Sequence, residues 1–394
     1  MKRFLIVLLI TVSAAVCFAG SEELEIYTYL YNGALTNTEQ LAILQNVAEL
    51  KLTGAGEFYA NALHRLVLDY QNIRNVTEKS SAEEQAQLLA ELLGNEKYAA
   101  AAADLWRTVE SFSDPLVKAE ALMALGKMRA TAFLPQVIKL LSDLNTTSTP
   151  DRLTGERIAF GAIIALEKYQ DPSGYLPVYF VSTGWYSDRI KNQALKSLEI
   201  ISADPTEPMI QIIRSSGYNY EIKLQALQTI ESSGTPNASK AGGALAALSE
   251  GWRASTADVR QRTNLNQMRK LAIDMIKRYG TEDEAVYPLL ERSYKQFAER
   301  NDGDRDESLN AITTLAALGT DESARRLSSF LMTINQKLQS GTLTRKDEDL
   351  VREIIPALGV TGRPLGRPAL NSVTALGWTP VVKNLAAEAL KNIR

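Results

Sequence analysis

One spacing governs this 394-residue chain. In "DPLVKAEALMALG", residues 114–126, an apolar residue is followed by a basic one, two free positions, Ala, an apolar residue, two more free positions and a last apolar residue. The residues are Val117, Lys118, Ala121, Leu122 and Leu125. The pattern returns at Ile158, Ala159, Ala162, Ile163, Leu166 and at Ile190, Lys191, Ala194, Leu195, Leu198. It returns again at Ile222, Lys223, Ala226, Leu227, Ile230, at Met268, Arg269, Ala272, Ile273, Ile276, and at Val382, Lys383, Ala386, Ala387, Leu390. Weaker echoes stand at Leu89–Leu93, Ala311–Leu315 and Val351–Ile355. At about 100° per residue the apolar positions cover an arc of roughly 140° on a helix. A helix of this length is marginal alone, so each copy must bury its arc against neighbours, and the copies imply a stacked array.

A second regularity accompanies the first. Eighteen to twenty residues after the start of four copies stands a proline: Pro135, Pro177, Pro208 and Pro288. Proline is tolerated in the first turn of a helix, where its missing N–H costs nothing. Breakers separate the helices: "DPSG" at 171–174, "SGTPN" at 233–237 and "YGTEDE" at 279–284. Each unit therefore reads as helix, turn, helix. Asp114 and Pro115 read as start signals and Gly126 as a stop. Further helices are expected at 37–51, 56–73, 81–94, 98–111, 256–279, 283–298 and 322–340, giving eight or nine pairs over 37–394.

"DPLVKAEALMALG" followed by "FLPQVIKLLSD" resembles the HEAT repeat, and in particular the HEAT-like repeats of exported bacterial proteins. That family pairs an apolar–basic–x–x–Ala–x–x–Ala–Leu–Gly helix with a Leu-Pro-x-Leu-Leu helix. The resemblance covers about 37–394 and is strongest over 114–232. It implies an all-α α-solenoid, a right-handed superhelix of stacked helix pairs. The family's basic residue often pairs with an Asp six residues earlier. Here Asp114 stands four before Lys118, and Gly217 stands six before Lys223, so no regular Asp–Arg ladder is expected.

Residues 1–20, "MKRFLIVLLITVSAAVCFAG", have a basic start, an apolar run and small residues at Ala19 and Gly20. They read as a secretory signal peptide cleaved near those two residues. Cys17 is the single cysteine. It leaves with the signal or, in the alternative, carries a lipid anchor; Val16 before it departs from the lipoprotein pattern. Loss of Lys2 and Arg3 takes 43 basic residues to 41, against 46 acidic ones. A mildly acidic chain is a poor nucleic-acid binder. No later stretch approaches the ~18 apolar residues of a membrane span. The expected location is periplasmic or secreted. Residues 21–36 form a cap segment in which Tyr27, Tyr29 and Tyr31 alternate as on a strand, while Leu24, Tyr27 and Tyr31 also share one helix face.

Catalytic chemistry finds little support. His64 is the only histidine and is expected to be buried or half-buried among Leu63 and Leu66–Leu68. One histidine and one cysteine leave no zinc site or Cys/His pair, so no catalytic, metal or cofactor residue is assigned. Asp302, Asp304 and Asp306 alternate as in a calcium loop, but Glu307 and Thr313 stand where an EF-hand needs Gly and Glu. Capping of a helix near Asp306 is the alternative. "GVTGRPLGRPAL" at 359–370 is read as a turn, with anion binding by Arg363 and Arg367 as the sharper option.

Three surfaces remain as candidate partner sites, with the alternatives that the aromatic turns only cover the edges of the packed helices and that the basic face is simply solvated. Trp185 with Tyr186, and Tyr218 with Tyr220, fall in matching turns. Residues 252–278 carry seven basic side chains against two acidic ones and include Trp252, Arg260, Arg262, Arg269 and Lys270. The expected function is an exported, non-enzymatic scaffold that binds a protein or peptide. The alternative is a helical-repeat enzyme or accessory subunit of the lyase-like kind.

Overall fold

The computed structural model describes residues 22–52, 54–147, 151–300 and 303–393. The signal segment, with Cys17, Ala19 and Gly20, lies outside the described residues, as does Asp302. Among the described residues every regular element is helical and no strand occurs. The chain divides into two compact units, the first reaching Ala203 and the second beginning at Asp204.

The first unit holds α1 (22–33), α2 (Asn37–Leu50), α3 (Gly56–Asp69), α4 (Val76–Glu96), α5 (Ala102–Ser111), α6 (Pro115–Met128), α7 (Leu134–Thr146), α8 (Arg152–Tyr169), α9 (Tyr175–Thr183) and α10 (Asp188–Ile201). The even helices from α2 to α10 pack side by side in one row, and the odd helices from α3 to α9 form a second row against it. Each odd helix packs chiefly on the even helix that follows it in the chain, rather than on the one before it.

The second unit repeats this plan. It comprises α11 (Thr206–Arg214), α12 (Tyr220–Ser232), α13 (Asn237–Arg253), α14 (Val259–Tyr279), α15 (Val286–Glu299), α16 (Arg305–Leu318), α17 (Asp321–Gln339), α18 (Arg345–Thr361), α19 (Arg367–Ala375) and α20 (Pro380–Asn392). Even helices again line one row and odd helices the other. Each unit is an α-solenoid, and the chain is all-α.

Every copy of the repeated spacing lies on an even helix, and Pro135, Pro177, Pro208 and Pro288 all lie in the first turns of odd helices. The template alanines Ala121, Ala162, Ala194, Ala226, Ala272 and Ala386 are all fully buried. In a close-packed interior a side chain larger than methyl there would have to push the neighbouring helix away. The last template position but one departs in two copies, because Leu195 and Ala387 are exposed.

Asp114 caps α6 as expected, accepting from the Leu116 N–H at 2.6 Å with Pro115 in the first turn. Gly126 does not stop the helix. It lies within α6, and a Cβ placed on it would stand 2.5 Å from the Cα of Ala165 on α8. The stop is Arg129, in the left-handed region at φ 51°. The even helices α2, α4, α6 and α8 all end this way, on Lys51, Lys97, Arg129 and Gln170. Arg129 also donates from Nη2 to the Gln170 Oε1 at 2.9 Å, tying one helix end to the next.

At the start of the chain, α1 takes the helical alternative. Tyr31 is buried, donates to the Gln85 Oε1 at 2.9 Å and meets Phe58 edge-on, while Tyr29 on the other face is open to solvent. Burial pushes the Tyr31 hydroxyl up to about 12. No described helix is long and apolar enough to cross a membrane.

Candidate functional site

The surface residues expected from sequence mostly serve the solenoid itself. Trp185 donates from Nε1 to the Leu144 carbonyl at 3.1 Å and stacks on Tyr186 at 4.1 Å. Tyr186 is 2% exposed and donates to the Asn145 side chain at 3.0 Å. Together they tie the C-terminal end of α7 to the turn before α10, which leaves Tyr186 no face for a partner. Tyr218 and Tyr220, in the second unit, are half-buried. The Tyr220 N–H donates to the Gln261 side chain at 2.8 Å, and the Lys223 ammonium lies 5.3 Å from its ring centre.

The basic stretch at 252–278 is largely paired with acids, most of them from other turns and helices. Arg260 pairs with Glu221, Lys270 with Asp304 and Arg278 with Glu231 and Asp274. Arg269 is buried: its guanidinium donates to both Glu307 oxygens, at 3.0 and 3.1 Å, and to the Gly251 carbonyl. Glu307 also accepts from Ser293, which in turn accepts from the Trp252 indole at 3.1 Å. The Arg269 and Arg292 guanidinium groups stand 4.4 and 4.8 Å from the Trp252 ring centre. Of the seven basic side chains, Arg262 and Lys277 are exposed and make no ion pair among the described residues, Lys277 donating instead to the Thr313 hydroxyl at 3.0 Å. Most of the positive charge concentrated along the sequence is thus matched in space.

The other sequence candidates resolve similarly. Asp304 caps α16, accepting from the Glu307 N–H, with its partner Lys270 at 2.5 Å. Among the described residues no three His, Cys, Asp or Glu side chains come together as a metal site would need, and Asp302 lies outside those residues. Arg363 and Arg367 donate to the carbonyls of Gly319 and Ile393, at 2.8 and 2.6 Å, and so satisfy helix C-terminal ends. His64 is exposed, against expectation. It lies off the packed arc of α3 and bonds through Nδ1 to Asp104 of α5 at 3.1 Å.

The feature that sequence reading missed is a groove on the even row of the first unit. Its floor is apolar: Leu116 and Met123 from α6, with Leu153 and Phe160 from α8. Its volume is about 390 Å³, within the usual range of ligand pockets. Leu116 is 43% exposed and Leu153 55%. Both sit outside the template arc, and α6 is apolar nearly all round. That surplus of apolar residues is the signal a sequence reading could have used.

Charges rim this floor. Glu156 accepts from the Ser187 N–H and hydroxyl, both at 2.8 Å, and from Arg152 at 3.0 Å. Burial works upward on its carboxyl, but these bonds prevail and hold it below the usual range. Glu120 stands 3.8 Å from Lys127, and burial pushes its carboxyl up against the pull of that lysine. Arg157 and Arg189 also line the groove, and neither makes an ion pair among the described residues.

A larger cavity, about 1210 Å³, lies in the second unit between the loop at 280–284 and the start of α17. Its polar groups are largely engaged with one another: Glu322 with Arg325 and Arg326, Arg326 with Glu291, and the Tyr287 hydroxyl with Thr320 at 2.7 Å.

No protein-family model matches the chain, and no curated protein matches its sequence. Among solved structures, it is similar to human deoxyhypusine hydroxylase in complex with glycerol, at 16% identity and a TM-score of 0.27. The match covers 88% of this chain and 99% of that one. The expectation of a non-enzymatic chain is corrected by this finding, since a protein that the chain matches is an enzyme. A likeness of this strength assigns no reaction.

Proposed function

We propose that this is an exported HEAT-like repeat protein that docks a polypeptide partner in the groove of its first unit. The observation that carries the reading is the pair of half-open leucines, Leu116 and Leu153, which line one groove together with Met123 and Phe160. Apolar side chains left in a concave site gain most when a partner covers them. Met and Phe together suit such a surface, because the thioether adapts to its guest while the ring offers a large rigid face. Export rests on the character of residues 1–20, and the HEAT-like assignment on the template and its two-row packing.

The test compares the full chain with a Leu153→Glu/Phe160→Glu variant as bait for polypeptides in an envelope extract. The reading expects a protein retained by the first and lost from the second, with both baits equally helical by circular dichroism. Equal retention by the two baits sinks it. Intact mass of the protein recovered from the host tests export: a chain starting at Gly20 or Ser21 supports it, and a chain still carrying Met1 opposes it.

A further inference from the structure

The groove also carries a charge preference, and this inference rests on the docking reading above. We infer that its occupant is a polypeptide segment with one or two large apolar side chains flanked by carboxylates. Four ionisable groups line the groove. Glu156 is already satisfied by Ser187 and Arg152. Glu120 is drawn into the protein beside Lys127, with only 15% of its side chain exposed. The remaining two are the arginines. Arg157 projects from α8, and Arg189 from the first turn of α10; both are exposed, and Asp151 near Arg157 lies outside the groove lining. The charge left available to a guest is therefore positive, whereas the chain as a whole is acidic.

Geometry adds a reason why carboxylates rather than any anion are selected. The two arginines come from different helices, and the groove they both line has an apolar floor. A free inorganic anion satisfies the arginines but leaves the floor wet. A segment with an apolar anchor and acidic neighbours covers Leu116, Leu153 and Phe160 and presents oxygens to the planar, bidentate donors at the rim. Rim charges of this kind chiefly set specificity and association rate, while the anchor supplies the affinity.

The experiment uses the full chain and three fluorescein-labelled hexapeptides. The first has a central Leu-Phe pair flanked by glutamates, the second has the same pair flanked by lysines, and the third has glutamates around a Gly-Gly centre. Binding is followed by fluorescence anisotropy at low and at physiological salt. The inference expects the glutamate-flanked Leu-Phe peptide to bind at least tenfold more tightly than either other peptide at low salt. In an Arg157→Glu/Arg189→Glu variant the preference should invert toward the lysine peptide, and Phe160→Ala should weaken both Leu-Phe peptides alike. These exposed arginines make no ion pair in the described structure, so their reversal is expected to leave the thermal transition in place.

Failure separates the two claims. If both Leu-Phe peptides bind equally and Phe160→Ala weakens them, the charge preference is wrong and the docking groove stands. If no peptide responds to Phe160→Ala, the docking reading fails with it. If the Gly-Gly peptide binds as well as the Leu-Phe one, the arginines act as a plain anion site, and the inference is overturned.

Discussion

Gly126 of α6 and Ala165 of α8 meet backbone to backbone: a Cβ on Gly126 would fall 2.5 Å from the Ala165 Cα and 2.9 Å from its carbonyl oxygen. Seven residues earlier along α6 the contact reverses, with Gly161 of α8 set against Ala119. Two glycines on opposite helices thus let the central helices of the first unit touch twice. Gly126→Ala should lose about 1–3 kcal/mol of stability through forced separation, despite a gain of about 1 kcal/mol in helix propensity. Gly242→Ala, within α13 but facing open space, should keep only the gain. Urea denaturation of the two variants decides between these signs.

The basic template position predicts opposite outcomes in two copies. Lys223 is 2% exposed and bonds the Glu250 Oε1 at 2.6 Å. Lys223→Met leaves Glu250 buried with Arg253 alone and should cost about 3 kcal/mol, toward the lower end for a broken buried pair. Lys118 is half-buried, and burial lowers the pKa of its ammonium with no acid set against it. That penalty is present at neutral pH and is relieved as pH rises past the depressed pKa. Lys118→Met should therefore be neutral or stabilising by roughly 0.5 kcal/mol. Parallel denaturation curves at pH 7 test both.

Acid should loosen the second unit at Asp347. Burial pushes its carboxyl up, but hydrogen bonds from Lys337 at 2.6 Å and from Thr344 outweigh this and hold it below the usual range. A carboxyl depressed in the folded state stabilises above its unfolded value, about 3.9, and that contribution is lost as pH falls through the folded value. Asp347→Asn should be less stable than the parent at pH 7, and the two should converge below about pH 4. Melting temperatures across that range measure the convergence.

Tyr186 should prove structural. Tyr186→Phe removes the bond to Asn145 and should cost about 1 kcal/mol, while leaving binding of the glutamate-flanked peptide unchanged. A loss of binding without loss of stability would return Tyr186 to the partner surface.

The solenoid was legible because its determinants are local. The template alanines and the first-turn prolines report one helix at a time, and the structure sorts them without exception into even and odd rows. The surface was not legible, because its determinants are distant pairings. Arg269 finds Glu307 on α16 and Arg260 finds Glu221 on α12; neither is visible in a window around the basic stretch. The Asp–Arg ladder that the departures from the HEAT pattern argued against does not form at Lys223 or Arg269, where glutamates on other helices supply the acid. His64 was misjudged because neighbours in sequence lie on different faces of α3. Gly126 was misjudged because a glycine after leucine reads equally as a stop and as a crossing point.

The four left-handed helix ends of the first unit have an engineering consequence. Lys51, Lys97, Arg129 and Gln170 each hold a conformation that costs a residue with a Cβ about 1–2 kcal/mol and costs glycine almost nothing. None of the four lines the Leu116–Phe160 groove. They are therefore places where the protein can be made hardier by single changes to glycine, with Lys51 and Lys97 the first choices because Arg129 and Gln170 are bonded to each other. Natural sequences commonly leave such stability unclaimed, and here it is set apart from the surface that would be selected for recognition.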